Sequence, residues 1–146
     1  MRNKKNNKGK RFARGGWMKK SKNKKVQNAQ PNSYNGINFK SKLETNCYKA
    51  FESVGIPLEY EKETFTLLEG FEYNNEKFRP ITYTPDFIND EHKIIIETKG
   101  YATDIFKLRW KLFKWYLMKN GSDYTAIQLK NKKEIDELIN TILYAQ

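Results

Sequence analysis

Cysteine, histidine and long apolar runs are scarce in this sequence. Its single cysteine, Cys47, cannot form a disulfide within the chain, which is typical of a reducing compartment, and we expect it to fill the core from a helix. No apolar run approaches the roughly 20 residues of a membrane-spanning helix. The basic start lacks the apolar segment of a secretory signal. These absences predict a cytoplasmic protein without a membrane partner.

Acidic side chains are missing from the first 30 residues. That segment holds 12 of the 28 Lys and Arg residues and no Asp or Glu, so the remainder carries 16 basic and 17 acidic side chains and is nearly neutral. Such a segment buries too little apolar surface to offset the entropy lost on ordering. We therefore predict a flexible basic arm over residues 1–33, disordered when free, and one folded domain over residues 34–146.

The basic arm predicts a polyanionic partner. Neutralising phosphates releases counterions, so the arm would add salt-sensitive affinity for nucleic acid without regard to sequence. Phe12 and Trp17 could stack on unpaired bases. The alternative is a tail that serves solubility or targeting. The predicted phosphate contacts are Arg11, Arg14, Lys19 and Lys20.

Three amphipathic helices are predicted. The first begins at the Ser41 to Glu44 capping pattern and ends before Gly55. Its apolar stripe consists of Leu43, Cys47, Ala50, Phe51 and Val54. The second runs from about 104 to 119, between a Thr103 cap and Asn120-Gly121, and the third from about 132 to 143.

β-Prone segments alternate with these helices. Strands are predicted over residues 58–68, 77–83, 93–99 and 124–129, and the residues around Pro85 continue extended because a residue before proline is pushed out of helical space. Polar residues 89–92 form a tight connection before the isoleucine-rich strand, which is the predicted central strand. The order predicts an α/β fold in which helices flank a mixed central β-sheet.

The segment from Pro85 to Lys99 contains the residues that indicate chemistry. Side chains alternate faces along a strand, so Glu97 and Lys99 share a face. If residues 89–92 turn the chain back, Asp86 lies near Glu97. Two carboxylates and an ammonium then converge, which suits Mg²⁺ or Mn²⁺, one or two ions, and the hydrolysis of a phosphodiester.

Two assignments stay open on the residues alone. Glu97 and Lys99 could form a surface ion pair, with Asp86 as a turn residue, although charges that end an apolar strand are costly unless they are paired or bound. Glu44 could close a capping box with Ser41, reach a metal, or do both.

The same segments resemble a known superfamily. Pro85-Asp86 followed by Glu97-Thr98-Lys99 is similar to the motif of the PD-(D/E)XK nucleases. The segments 39–44, 52–56, 59–61, 83–87 and 96–100 resemble, in order and spacing, the bacteriophage endonuclease I family of Holliday-junction resolvases. The likeness to the resolvases fades after Gly100. Residues 78–83 and 106–108 are reminiscent instead of small phage proteins of the same superfamily.

This resemblance implies a restriction-endonuclease-like fold and a metal-dependent endodeoxyribonuclease. It implies that Glu44, Asp86 and Glu97 bind the metal and that Lys99 completes the catalytic set. It further implies a homodimer that nicks a four-way DNA junction in phage DNA recombination, in the cytoplasm of the host cell. The alternatives are a duplex or nicking endonuclease of phage DNA metabolism and a non-catalytic nucleic-acid-binding module.

The second helix is predicted to face DNA. Lys107, Lys111 and Lys114 recur at helical spacing and share a face that could follow phosphates. An apolar stripe on the same helix is expected in the core or a dimer contact rather than against bases; it consists of Phe106, Trp110, Phe113 and Leu117. His92 is expected to be a solvated turn residue. Arg79 could contact a phosphate or pair with an acid.

Overall fold

The structure is a computed structural model that describes residues 32–145, which form ten short strands and three helices. The strands are β1 (Asn32–Tyr34), β2 (Ile37–Phe39), β3 (Glu59–Tyr60), β4 (Phe65–Leu68), β5 (Phe71–Tyr73), β6 (Glu76–Phe78), β7 (Ile81–Tyr83), β8 (Phe87–Asn89), β9 (Ile94–Thr98) and β10 (Thr125–Leu129). The helices are α1 (Lys42–Ser53), α2 (Asp104–Lys119) and α3 (Lys132–Tyr144).

A four-stranded mixed sheet forms the centre of the fold, in the order β10-β9-β8-β3. β10 runs parallel to β9, whereas β8 and β3 continue the sheet in antiparallel pairs. All five residues of β9 are buried because helices cover both faces of the strand. The predicted α/β fold, with helices flanking a mixed central sheet, is therefore confirmed.

Two apolar clusters fill the space on either side of the sheet. On one face, Ile94 and Ile96 pack with residues of α1 and α3. On the other, Ile95 packs with α2, β4 and β7. The apolar stripe of α2 that includes Phe113 is buried in this second cluster, so it belongs to the core as predicted. Full burial of a side chain such as Phe113 contributes about 2 to 3 kcal/mol.

The helix ends lie close to their predicted positions. Ser41 caps α1 and Thr103 caps α2, and each hydroxyl accepts a hydrogen bond from an amide in the first helical turn. α2 ends at Lys119 as predicted, and α3 extends one residue beyond the predicted Leu143. After α1 the chain turns through Gly55, whose φ of +77° lies in the left-handed region that glycine adopts without steric cost.

The strand predictions were wrong in two places. Residues 58–68 form two strands, because Glu61 takes a positive φ that ends β3. Residues 77–83 also form two, since Pro80 has no amide proton to continue a ladder: β6 pairs with β5, while β7 pairs with β4. The sequence reading also missed the β1–β2 hairpin, which turns at Asn35 and Gly36.

The hairpin changes the predicted domain boundary. Asn32 and Ser33 were assigned to the arm but belong to β1. Residues 1–31, with the predicted contacts Arg11, Arg14, Lys19 and Lys20, lie outside the described part of the chain. No helix within residues 32–145 is long and apolar enough to cross a membrane.

Candidate active site

The β8–β9 hairpin brings Asp86 to Glu97. Phe87 pairs with Ile96, and the same antiparallel register, continued by one residue, sets Asp86 opposite Glu97. The Thr98 backbone amide and hydroxyl both donate to Asp86 Oδ2, each at 2.7 Å. Residues 89–92 therefore turn the chain back as predicted, and the ten residues between Asp86 and Glu97 set the two acids opposite each other.

Glu97 is buried on the face of the sheet that packs against α2. It follows Ile95 by two residues, so its side chain points to the same face. The Tyr83 hydroxyl, at the end of β7, donates to Glu97 Oε2 at 2.7 Å. This hydrogen bond holds the carboxylate at the end of an otherwise apolar layer.

Glu44 lies in the first turn of α1 and is also buried. Its backbone amide donates to the Ser41 hydroxyl, as the capping pattern predicts. Its carboxylate Oε2 accepts from the Lys40 amide at 2.9 Å and from the Tyr60 hydroxyl at 2.8 Å. The Glu44 carboxylate therefore accepts from the Lys40 amide and not from the Ser41 amide that a capping box would use. The hydrogen bond from Tyr60 holds the same carboxylate against β3 of the sheet.

Repulsion between these carboxylates indicates that they are neighbours. Burial raises the pKa of Asp86, and repulsion by Glu44 raises it further. Burial also raises the pKa of Glu97, and repulsion by Asp86 is its next largest cause. The Lys99 ammonium lowers both pKa values, so its positive charge lies close to both acids. Asp86 thus lies near enough to Glu44 and to Glu97 to interact with each of them.

An open cleft of about 380 Å³ gives solvent access to Glu97 and Lys99. The Lys99 ammonium lies 5.5 Å from the centre of the Phe106 ring on one wall. Arg109, on the exposed side of α2, lines the same cleft. The remaining lining residues are Thr82, Tyr83, Thr84, Thr103 and Ile105. A cleft of about 410 Å³ between α1 and α3 is lined by none of the predicted site residues.

The donor set fits a hard divalent cation held by two carboxylates. Mg²⁺ is commonly bound by one or two carboxylates and completes its shell with water and substrate phosphate. Asp86 and Glu97 supply such a pair, and a cation between them would relieve their mutual repulsion. Residues 32–145 contain no group of three or more His, Cys, Asp or Glu side chains that could hold a metal ion. The role of Glu44 as a third ligand stays a prediction.

Comparison with known proteins identifies a family. A family described as "Protein of unknown function (DUF1064)" matches residues 18–133, which is most of the chain. The chain belongs to the DUF1064 family. The matched region includes the three carboxylates, Lys99 and Arg109. No curated protein and no solved structure matches the chain.

In this DUF1064 chain the other predicted site residues lie away from the carboxylates. Lys107, Lys111 and Lys114 are exposed on α2, as expected, but none of them lines the cleft. Lys107 pairs with Asp104 at 3.1 Å, and the Lys114 ammonium lies 6.0 Å from the centre of the Trp110 ring. His92 lies in the turn before β9, as predicted, and Arg79 is exposed at the end of β6.

Four residues of the candidate site were not predicted from sequence. Tyr60, Thr98 and Tyr83 each donate to one of the three carboxylates. Thr98 reaches Asp86 within the β8–β9 hairpin, whereas the strands of Tyr60 and Tyr83 pair across gaps in sequence that no local pattern reveals. Arg109 is the fourth, and one signal could have found it: it lies in the first two turns of the helix that follows the strand of Glu97 and Lys99.

Proposed function

We propose that this protein is a metal-dependent endodeoxyribonuclease. The observation that carries the proposal is the placement of Asp86 opposite Glu97, where the Lys99 charge acts on both carboxylates. Glu97 and Lys99 line an open cleft. Glu97 is buried, Asp86 is half-buried and the two carboxylates repel each other, so keeping both is costly to the fold and favours a functional over a structural role. The likeness of these segments to the PD-(D/E)XK motif supports the same chemistry.

Each side chain has a distinct role in this proposal. Asp86 and Glu97 would hold one or two Mg²⁺ or Mn²⁺ ions. Hydrogen bonds from Thr98 to Asp86 and from Tyr83 to Glu97 orient the two carboxylates for this role. When bound, a divalent cation supplies a nucleophilic water at neutral pH and offsets charge on the phosphate. Lys99 donates to the phosphate oxygens as negative charge develops on them. Glu44 acts beside Asp86, either as a further ligand or through water.

The leading substrate is branched DNA such as a Holliday junction, cut by a homodimer. This preference rests on the likeness to phage resolvases over residues 39–100. The superfamily's usual products are 5′-phosphate and 3′-hydroxyl ends. The arm of residues 1–31 would add affinity for phosphates because it is strongly basic.

One cleavage assay tests the function and separates the alternatives. The full chain is incubated with a labelled four-way junction, a linear duplex and a single strand, each with Mg²⁺ and with a chelator. We expect paired nicks in the junction with Mg²⁺ and none with the chelator. Equal cutting of the linear duplex would instead support a duplex or nicking endonuclease. Metal-independent binding without cleavage would contradict the nuclease proposal and favour a binding module.

A chain that starts at residue 31 is the control for the arm in the same assay, because it keeps β1 intact. It should cut the junction at saturating concentration but bind it more weakly, with a shallower dependence on salt. Unchanged affinity would contradict a role for the arm in DNA binding.

We expect Arg109, rather than the lysines of α2, to contact a DNA phosphate, because it lines the cleft and they do not. It is exposed, lines the cleft beside Lys99, and forms no salt bridge within residues 32–145. Arg109→Ala should weaken junction binding by about tenfold and lower the slope of affinity against salt, because one ionic contact is lost. Fluorescence anisotropy at several salt concentrations measures both quantities.

Lys107→Ala and Lys133→Ala are matched controls for this prediction. Lys107 lies on the exposed surface of the same helix, outside the cleft, and Lys133 lies on α3. We expect each to change affinity less than Arg109→Ala does. A larger loss with Lys107→Ala than with Arg109→Ala would show that DNA follows the lysines of α2 and not the cleft.

A further inference from the structure

The β5–β6 hairpin presents an aromatic face that nothing in the described chain covers. Phe71 pairs with Phe78 and Tyr73 pairs with Glu76, so these four residues share one face and Glu72 and Lys77 share the other. The Phe71 and Phe78 rings stack with centroids 4.8 Å apart, yet the three aromatic residues are 38% to 65% exposed. Glu76 is the charged residue on this face. We call it the hairpin face.

A second uncovered apolar surface lies on α2, opposite its buried stripe. Leu108, Trp115 and Met118 recur at spacings of seven and three and are 49% to 71% exposed. Lys111 and Lys119 lie one helical turn from Leu108 and Trp115, respectively. The helix carries five basic side chains and one acidic one. We call this surface the helix face.

We propose that the hairpin face of one copy docks on the helix face of a second copy, and that this contact, made twice about a two-fold axis, forms the homodimer. Both faces are apolar, and their charges are complementary: Glu76 on one meets Lys111 and Lys119 on the other. Large apolar patches that are rimmed by charge commonly mark interaction sites. A two-fold dimer covers both faces of both chains at once.

Charge favours a second copy over the other occupants. DNA would be repelled from the hairpin face by Glu76, and the basic first 30 residues of the chain would be repelled from the helix face by the lysines of α2. A second copy complements the charge of both faces. Ile105, one helical turn before Leu108, lines the cleft, so a hairpin docked on the helix face would lie near the candidate active site. This inference deepens the homodimer of the proposed function, but its test reads association without DNA or metal.

Sedimentation of the full chain over a range of concentrations tests the interface. The hairpin variant carries Phe71→Ser and Phe78→Ser, and the helix variant carries Leu108→Ser and Trp115→Ser. Each should raise the dimer dissociation constant by at least about tenfold, since buried aromatic residues dominate interfaces. Glu76→Lys should also weaken the dimer. Lys77→Glu, on the opposite face of the hairpin, and Tyr101→Ser, an exposed aromatic outside both faces, should not.

Mixing the two variants gives the sharpest result. Each variant alone has a defect in both contacts of its dimer, whereas a mixed dimer regains one intact hairpin face on one intact helix face. We expect the mixture to associate more tightly than either variant. A monomeric wild-type chain, a variant of either face that dimerises like wild type, or a mixture that gains nothing would each overturn the proposal. Because no cleavage is measured, failure here leaves the nuclease assay to be judged separately.

Discussion

An Asp86→Asn variant should lose at least about a thousandfold in the rate of metal-dependent junction cleavage. Asp86 lies opposite Glu97, and Glu44 repels its carboxylate, so the change removes a negative charge where the cation is proposed to bind. The amide keeps the size of the side chain and can still accept from Thr98. Single-turnover cleavage with Mg²⁺ measures the loss, and binding in chelator shows that the substrate is still held.

Lys99→Met should produce a loss of similar size by a different route. The methionine preserves most of the apolar stem that packs near Phe106 but removes the charge that acts on both acids. Raising the Mg²⁺ concentration should restore part of the activity of Asp86→Asn but not that of Lys99→Met, because the first variant lacks a proposed ligand of the cation whereas the second lacks the proposed donor to the phosphate.

Matched controls come from exposed residues away from the cleft. Asp123→Asn removes a carboxylate that contacts only Lys93 at 3.7 Å among the salt bridges of residues 32–145, and Lys133→Met removes a lysine from α3. Both should cleave like wild type. If Asp86→Asn also cleaved within about tenfold of wild type, Asp86 would have no catalytic role, and the proposed site would be wrong.

Glu97→Gln should stabilise the fold at neutral and alkaline pH while it abolishes cleavage. Glu97 is buried beside Asp86, and its pKa is raised above the usual range by burial and then by repulsion from Asp86. Removing its charge removes both costs, and the amide can keep the hydrogen bond from Tyr83. We expect a gain on the order of 2 kcal/mol in the free energy of unfolding above the pKa of Glu97.

The pH dependence gives the sign of this effect. A carboxyl whose pKa is higher in the folded than in the unfolded chain binds its proton more tightly when folded. Wild-type stability therefore falls as pH rises from the usual glutamate pKa through the raised one. Glu97→Gln should lessen that fall, so its Tm should exceed that of wild type by roughly 5 to 10 °C at pH 8 and by little at pH 4.

Thermal unfolding from pH 4 to pH 8, without divalent cations, measures the difference. The control is Glu91→Gln, which changes an exposed glutamate in the turn between β8 and β9 and should leave the pH profile as in wild type. A Glu97→Gln variant with a lower Tm than wild type at pH 8 would show that the charged carboxylate stabilises the fold, contrary to our interpretation. Mg²⁺ should raise the Tm of wild type more than that of the variant, since ligands stabilise the state that binds them.

Under the proposed function, activity and stability make opposite demands on Asp86 and Glu97. A fold selected only for stability would place apolar residues at the ends of β8 and β9, next to Ile95 and Ile96. The protein instead keeps like charges close together at the rim of its core, which lowers its stability without a cation. Such strain is typical of sites that are built for a ligand.

Much of this arrangement could be predicted from local pattern. The three helices follow from apolar residues at helical spacing and from caps such as Ser41 and Thr103, because these signals lie within a few residues of one another. The alternation of β9 places Glu97 and Lys99 on one face before any partner strand is known. A polar turn of a few residues then predicts an antiparallel return, which sets Asp86 beside Glu97.

Pairing between distant segments could not be predicted in the same way. The strand predicted over residues 77–83 is interrupted at Pro80, so its first part pairs with β5 and its second part pairs with β4. The second part contains Tyr83, which donates to Glu97. The register of such pairs depends on packing across the whole chain and not on the residues of either strand. Arg109 likewise reaches the cleft only because α2 packs on this face of the sheet.

The sequence by itself determined the helices, the turn that returns Asp86 to the central strand, and the shared face of Glu97 and Lys99, because each depends on residues close together in the chain. Tertiary structure alone decided that Tyr60 and Tyr83 hold Glu44 and Glu97, that Arg109 lines the cleft, and that the hairpin and helix faces are exposed within residues 32–145. These features depend on which segments distant in sequence pack together and exclude water, and that packing is decided by the whole fold and not by any one segment.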